Sequence, residues 1–144
     1  MDNKYELTDN TQEVDGHVLH RIKALKSFAD VEKGDLGGWI EDYSNLPQSD
    51  NAWVYDNAKV YEHALICDNA RVGGYARVWD YATVYDNAQV NDHAQVYGNA
   101  CVHGDTWVLG KSQVYDNAHV YGNAIIDGNA KVYGDLYANY RVVG

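Results

Sequence analysis

The side chains able to do chemistry are few. Six histidines (His17, His20, His63, His93, His103, His119), two cysteines (Cys67, Cys101) and a long series of aspartates are the candidates. Imidazole and thiolate are ordinary zinc ligands, and carboxylate oxygens are calcium ligands. One grouping fits zinc. His103 follows Cys101 by two residues, and His119 follows Cys101 by eighteen. If positions eighteen apart are neighbours, Cys101, His103 and His119 offer a thiolate and two imidazoles to one tetrahedral ion. No carboxylate is evident to orient those imidazoles, so the expectation is no cofactor, with zinc as the exception the residues admit. The acidic pairs Glu62 with Asp80, and Asp68 with Asp86, share that spacing but read as solvated corners. No phosphate-cradling loop, nucleophile elbow or paired-carboxylate motif is present.

Whether any of these groups meet depends on the elements that carry them. From residue 51 to 134 the chain repeats every six residues: a small residue, any, an aliphatic, any, then two corner residues. The small slot runs Ala52, Ala58, Ala64 and onward to Ala130, with Thr106 and Ser112 the departures. The aliphatic slot runs Val54, Val60, Ile66 and onward to Val132. That makes fourteen units without insertion or deletion. At 100° per residue a helix would scatter these two slots around its axis. A strand places residues two apart on one side, so each unit reads as a short strand with its small and aliphatic residues inward. The first corner residue is always Asp, Glu or Gly and the second most often Asn, residues that accept tight corners.

This pattern resembles the hexapeptide-repeat family. The resemblance implies an all-β, left-handed parallel β-helix with three sides and eighteen residues per coil, here about five coils. The columns agree. Every eighteenth residue from Tyr61 is aromatic (Tyr61, Trp79, Tyr97, Tyr115, Tyr133), and every eighteenth from Lys59 is long and polar (Lys59, Arg77, Gln95, Gln113, Lys131). Stacked strands would set such residues about 4.8 Å apart. The other two registers are more mixed.

Residues 1–50 read as a separate capping segment ahead of a repeat region spanning 51–144. Lys4 to Val14 and His17 to Leu25 look like two strands joined at Asp15-Gly16, a strong hairpin signal. Gly34 to Ile40 reads as a turn-rich approach, and Ile40 and Leu46 as an irregular first coil. A stack of strands exposes an edge at each end, and the hairpin is expected to cover the first.

Composition narrows the partners. A formal net charge of −10 opposes nucleic-acid phosphates, so no direct nucleic-acid binding is expected. No apolar run reaches the length of a membrane span, and two cysteines do not make a disulfide framework. A cytoplasmic setting is the expectation. Hexapeptide-repeat proteins include acyltransferases and zinc-dependent γ-class carbonic anhydrases. The acyltransferases use a loop projecting from a corner, and none interrupts residues 52–134. The anhydrases need three histidines, two of them close in sequence, and the repeat offers no such pair. An enzyme of either kind is therefore the alternative reading. The leading one is a non-catalytic binding or assembly protein. Its expected contact face comprises Lys59, Tyr61, Arg77, Trp79, Gln95, Tyr97, Gln113, Tyr115, Lys131 and Tyr133, since Tyr, Trp and Arg carry interface energy at low entropic cost. The expected partners are another copy, as a dimer or trimer, with a host protein or a polysaccharide stacked on the rings as runners-up. The YDNA and YGNA strings and the GDLGGWIE segment resemble repeat proteins of bacterial genomes and prophages, which implies a phage-borne accessory role, acting in the host cytoplasm, such as inhibition of a host factor.

Overall fold

The computed structural model describes residues 3–144. The chain is an all-β parallel solenoid preceded by an antiparallel hairpin. In the hairpin, β1 (Tyr5–Val14) pairs with β2 (His17–Ala24), and β3 (Leu36–Ile40) follows. The turn residues Asp15 and Gly16 both have positive φ, as a two-residue hairpin turn of this kind requires. The only helical piece among the described residues is one 3-10 turn, Tyr43–Asn45. From Trp53 onward every unit contributes a short strand, and these strands stack into three parallel sheets.

The first face carries Lys59–Val60, Arg77–Val78, Gln95–Val96, Gln113–Val114 and Lys131–Val132, with β3 as its first rung. The second carries five rungs, from Leu65–Ile66 to Tyr137–Ala138, and the third six, from Trp53–Val54 to Arg141–Val143. Register confirms the eighteen-residue coil: Gln95 lies beside Arg77 on one side and Gln113 on the other. Two of the faces thus reach six rungs, against an expectation of about five coils. On the third face the added rung is Arg141–Val143, which follows the regular repeat and pairs with Ile125–Asp127. On the first it is Leu36–Ile40, read as a turn-rich approach, which is a strand. It pairs in parallel through Trp39 with Lys59 and Ile40 with Val60. Gly37 and Gly38 let it lie this close. A Cβ on Gly38 would sit 2.7 Å from the Ala58 carbonyl, and one on Gly37 would sit 2.6 Å from the Val54 carbonyl.

The interior is the two inward slots. All fourteen small and all fourteen aliphatic positions are buried, none more than 3 % exposed. Each such methyl group contributes roughly 0.8 kcal/mol per CH₂ removed from water, repeated unit by unit as in other solenoids. The outer backbone is satisfied coil to coil: the Tyr97 N–H donates to the Val114 carbonyl at 2.9 Å and the Asn99 N–H to Asp116 at 2.8 Å. Ser112 donates to the Leu109 carbonyl at 2.6 Å, whereas the buried Thr106 hydroxyl has no partner among the described residues.

Corners explain the Asp, Glu or Gly rule. All fourteen first corner residues have φ between 56° and 72°, a region that costs most L-residues about 1–2 kcal/mol. Aspartate recovers part of this. Its carboxylate accepts the N–H of the corner residue one coil on: Asp80 from Gly98 at 3.0 Å, Asp92 from Gly110 at 3.0 Å, Asp68 from Asp86 at 3.1 Å. The corner aspartates are therefore structural acceptors.

The hairpin closes over the first coil. Tyr5, Ile22 and Ala24 join the main core beside Trp53 and Leu46. Lys4 is fully buried. Its ammonium donates to the Ala52 carbonyl at 2.7 Å and to the Asp50 carbonyl and carboxylate, each at 3.2 Å. Burial lowers its pKa, and Asp50 pulls the other way.

Candidate functional site

The aromatic column forms. Tyr61, Trp79, Tyr97, Tyr115 and Tyr133 stack ring on ring along the first face, with centroids 4.5–5.9 Å apart and planes within 11° of parallel. Beside it the strand residues Lys59, Arg77, Gln95, Gln113 and Lys131 follow one another in register. The two columns touch: the Tyr97 hydroxyl donates to Gln113 Oε1 at 2.8 Å. Burial, with Tyr115 and Asp116 adding negative charge, raises the Tyr97 pKa, so the hydroxyl stays a neutral donor.

Two features differ from the expectation. Tyr61 is fully buried and offers no surface. The tip of the hairpin lies over it, where Val14, Leu19, Trp39 and Tyr61 form their own apolar cluster, and its hydroxyl donates to Asp15 Oδ2 at 2.8 Å. Lys59 is half-buried, with its pKa lowered by burial and by Arg77. The accessible face runs from Arg77 and Trp79 to Lys131 and Tyr133, and Tyr133 is its most open ring at 56 %. The second difference concerns ring orientation. Offset face-to-face stacking lays the ring faces against one another, so the column presents ring edges and hydroxyls. Trp79, Tyr97 and Tyr115 each carry a ring on both faces, so a sugar ring could lie only on the end ring, Tyr133.

Cys101 and His119 are in register as the spacing required, but the three candidate zinc ligands do not converge. The His103 and His119 rings are 6.4 Å apart and perpendicular. His103 is sandwiched between Tyr85 (4.6 Å) and Tyr121 (5.9 Å), with its Nδ1 3.5 Å from Asp86 Oδ2. Burial raises the Cys101 pKa, opposing the thiolate a metal needs. Among the described residues no group of three His, Cys, Asp or Glu side chains is arranged to hold a metal ion.

The histidines have a different partner, which the sequence reading missed. Every histidine of the repeat stacks on a tyrosine eighteen positions away: His63 on Tyr81, His93 on Tyr75, His103 on Tyr85 and His119 on Tyr137, at 4.6–5.0 Å. The signal is in the sequence: three of these pairs lie in the two more mixed registers, and His63 with Tyr81 at the corners of the first face. A second unforeseen feature is Trp107 on the third face, 46 % exposed, beside Gln89 and Ile125 in an open groove of about 420 Å³.

The surface depressions are open grooves. One of about 550 Å³ follows the corner of Asp50, Asp68, Asp86 and Asp105. Another, of about 630 Å³, lies between hairpin and solenoid, lined by His17, Glu41, Asp42, Ser44, Glu62 and His63. Neither resembles the concave, mostly apolar pockets that enclose small ligands. No described helix is long and apolar enough to cross a membrane.

No curated protein matches the chain. Residues 94–110 and 112–128 match a protein-family model described as YdcK Beta solenoid repeat. The two matched stretches begin eighteen residues apart, one coil each, so the likeness lies in the same repeat unit that stacks the rings.

Proposed function

We propose that the protein is a non-catalytic binding or assembly protein, and that its contact surface is the first face from Arg77 and Trp79 through Gln95, Tyr97, Gln113 and Tyr115 to Lys131 and Tyr133. The observation that carries the reading is the unbroken ring column lying beside a polar ladder. Such a surface is rigid before contact, since each ring is held by its neighbours and each strand by the coil hydrogen bonds. Pre-ordered Tyr, Trp and Arg side chains contribute interface energy with little entropy left to lose. The ring edges and hydroxyls suit a protein surface. The ladder also sets Arg77 and Lys131 on a chain of net charge −10, which favours an acidic partner and long-range steering. A second copy of this acidic chain is the first partner to test. A host protein bound by a phage-encoded accessory factor is the other.

The same proposal takes the coil as a left-handed hexapeptide-repeat helix acting in the cytoplasm, where the free cysteines Cys67 and Cys101 fit a reducing compartment. Catalysis is disfavoured by the open grooves and by the structural engagement of the corner aspartates and the repeat's histidines.

The test is the double variant Tyr97→Ala, Tyr115→Ala, checked for an unchanged β signal by circular dichroism. Loss of self-association in light scattering, or of a captured partner, supports the face. Association unchanged in the double variant makes the column purely structural.

A further inference from the structure

The hairpin is anchored in two different ways. Its base belongs to the main core through Tyr5, Ile22 and Ala24. Its tip belongs to the separate cluster of Val14, Leu19, Trp39 and Tyr61, against which Trp79 packs. Between them the β1–β2 register slips: Leu7 pairs with Ile22 and Thr11 with His20, so three residues of β1 stand opposite Arg21 alone. A bulge of this size interrupts the ladder and bends the strand. The pairing of β2 with β3 begins only at His20, opposite Ile40. Residues 14–19 therefore overhang the first face without strand pairing to the solenoid.

Side chains hold the overhang down. Besides the Tyr61–Asp15 hydrogen bond, His17 reaches two carboxylates at once: its Nδ1 lies 2.7 Å from Glu41 Oε2 and its Nε2 3.4 Å from Glu62 Oε1. The imidazole also rests on the Tyr61 ring at 5.6 Å. Glu41 is fixed in turn, its Oε1 accepting the Glu62 N–H at 2.7 Å. The chemistry of this arrangement is one-sided. An imidazolium donates from both nitrogens, whereas neutral imidazole has one donor and one lone pair. Deprotonation turns one of the two contacts into a lone pair facing a carboxylate.

We propose that the hairpin tip is a pH-sensitive flap over the ring column, latched by doubly protonated His17 between Glu41 and Glu62, and that its release adds Tyr61 to the exposed face. The proposal regulates the face described above and rests on that reading for its functional meaning. The groups facing His17 are Asp15 in its own turn, Glu41 after β3, and Glu62 at the corner after Lys59–Val60. Asp80 stands against Glu62, Arg77 lies 4.0 Å from Asp15, and Asp42 and His63 line the adjoining groove. The net field is negative, which favours the cation. In keeping with this, the Glu41 hydrogen bond, with Glu41, Glu62 and Asp15 charge behind it, raises the His17 pKa against a smaller desolvation effect. A raised folded-state value means that the latch is complete below the ordinary histidine range near about 6.5 and is lost as pH rises through the raised value.

Amide hydrogen exchange on the full chain, corrected for intrinsic rates, tests this at pH 6 and pH 9. Protection of the peptide covering residues 13–19 is expected to fall at pH 9 by about tenfold for each pH unit by which the latch raises the His17 value. Peptides over Gln95–Val96 and Gln113–Val114 are expected to stay unchanged. His17→Gln removes the pH dependence, and Glu41→Gln moves the midpoint down while leaving the hairpin base protected. Equal tip protection at both pH values, or a pH response retained in His17→Gln, overturns the flap. Exchange reads the flap whether or not the face binds anything, so the two failures are distinguishable.

Discussion

Replacing Asp92 tests the corner rule at a mid-rod position. Asp92 has φ 59°, and its carboxylate accepts the Gly110 N–H at 3.0 Å. Two terms are separable by substitution. A hydrogen bond to a charged acceptor contributes about 1.5–3 kcal/mol when protected from water. Asp92 is exposed, so about 1 kcal/mol is the appropriate figure. The left-handed backbone costs alanine about a further 1 kcal/mol and glycine nothing. Asp92→Asn keeps an acceptor and the tolerance of positive φ and should cost about 0.5 kcal/mol. Asp92→Gly loses the acceptor and adds glycine's own chain-entropy cost of about 0.5–1 kcal/mol but sheds the strain the aspartate carries, for a net cost of about 0.5–1 kcal/mol. Asp92→Ala loses both, for about 2 kcal/mol. Urea unfolding followed by circular dichroism gives the order through the midpoints at constant slope. Because coils couple only to their neighbours, a changed slope would signal a rod splitting at the weakened interface. A glycine variant as stable as the parent would refute the claim that the carboxylate stabilises the next coil. Alanine and glycine variants of equal stability would refute the strain term.

Three more outcomes follow from buried groups. Thr106→Val replaces the partnerless hydroxyl by a methyl of the same shape and should stabilise by about 1 kcal/mol; an unchanged urea midpoint would mean that the hydroxyl is satisfied. Lys4→Met strips the Asp50 carboxylate and the Ala52 carbonyl of their buried donor. It should cost about 2–3 kcal/mol, below the usual figure for a broken buried pair because Asp50 is partly exposed, and a loss under about 0.5 kcal/mol would show the anchor to be dispensable. Burial, with Asp68, Asp50 and Asp86 adding to it, pushes the Cys67 thiol up to about 11. At pH 8 its thiolate fraction is then about two orders of magnitude below that of a free cysteine. Alkylation should be slower by that factor and should rise tenfold per pH unit up to about pH 10; a rate equal to that of free cysteine would contradict the burial.

The solenoid was legible in the sequence because its physics is local. Inward slots two apart, a corner every six residues and columns every eighteen are all written along one chain. The Asp15-Gly16 hairpin was legible for the same reason. What escaped depends on contacts between segments without a common period. Nothing in the repeat announces that the tip of β2 lies over Tyr61, which removes one ring from the expected face. Gly34 to Ile40 reads as turn because of its glycines, yet Gly37 and Gly38 are there so that a strand can lie against Val54 and Ala58. His103 and His119 read as metal ligands when matched only against Cys101; matched instead against the aromatic residues eighteen away, each histidine of the repeat meets a tyrosine. Lys4, a charged residue in full burial, has no sequence signal at all, since its partners Asp50 and Ala52 are far along the chain.

Side-chain footprinting by hydroxyl radicals, comparing free protein with protein assembled or bound to its captured partner, addresses the contact face most directly. Trp79, Tyr97, Tyr115 and Tyr133 are expected to lose reactivity together, while Tyr75, Tyr81 and Trp107, exposed on other parts of the rod, keep theirs. Protection centred on Trp107, with the four rings of the first face as reactive as before, would contradict the account and move the interface to the third face.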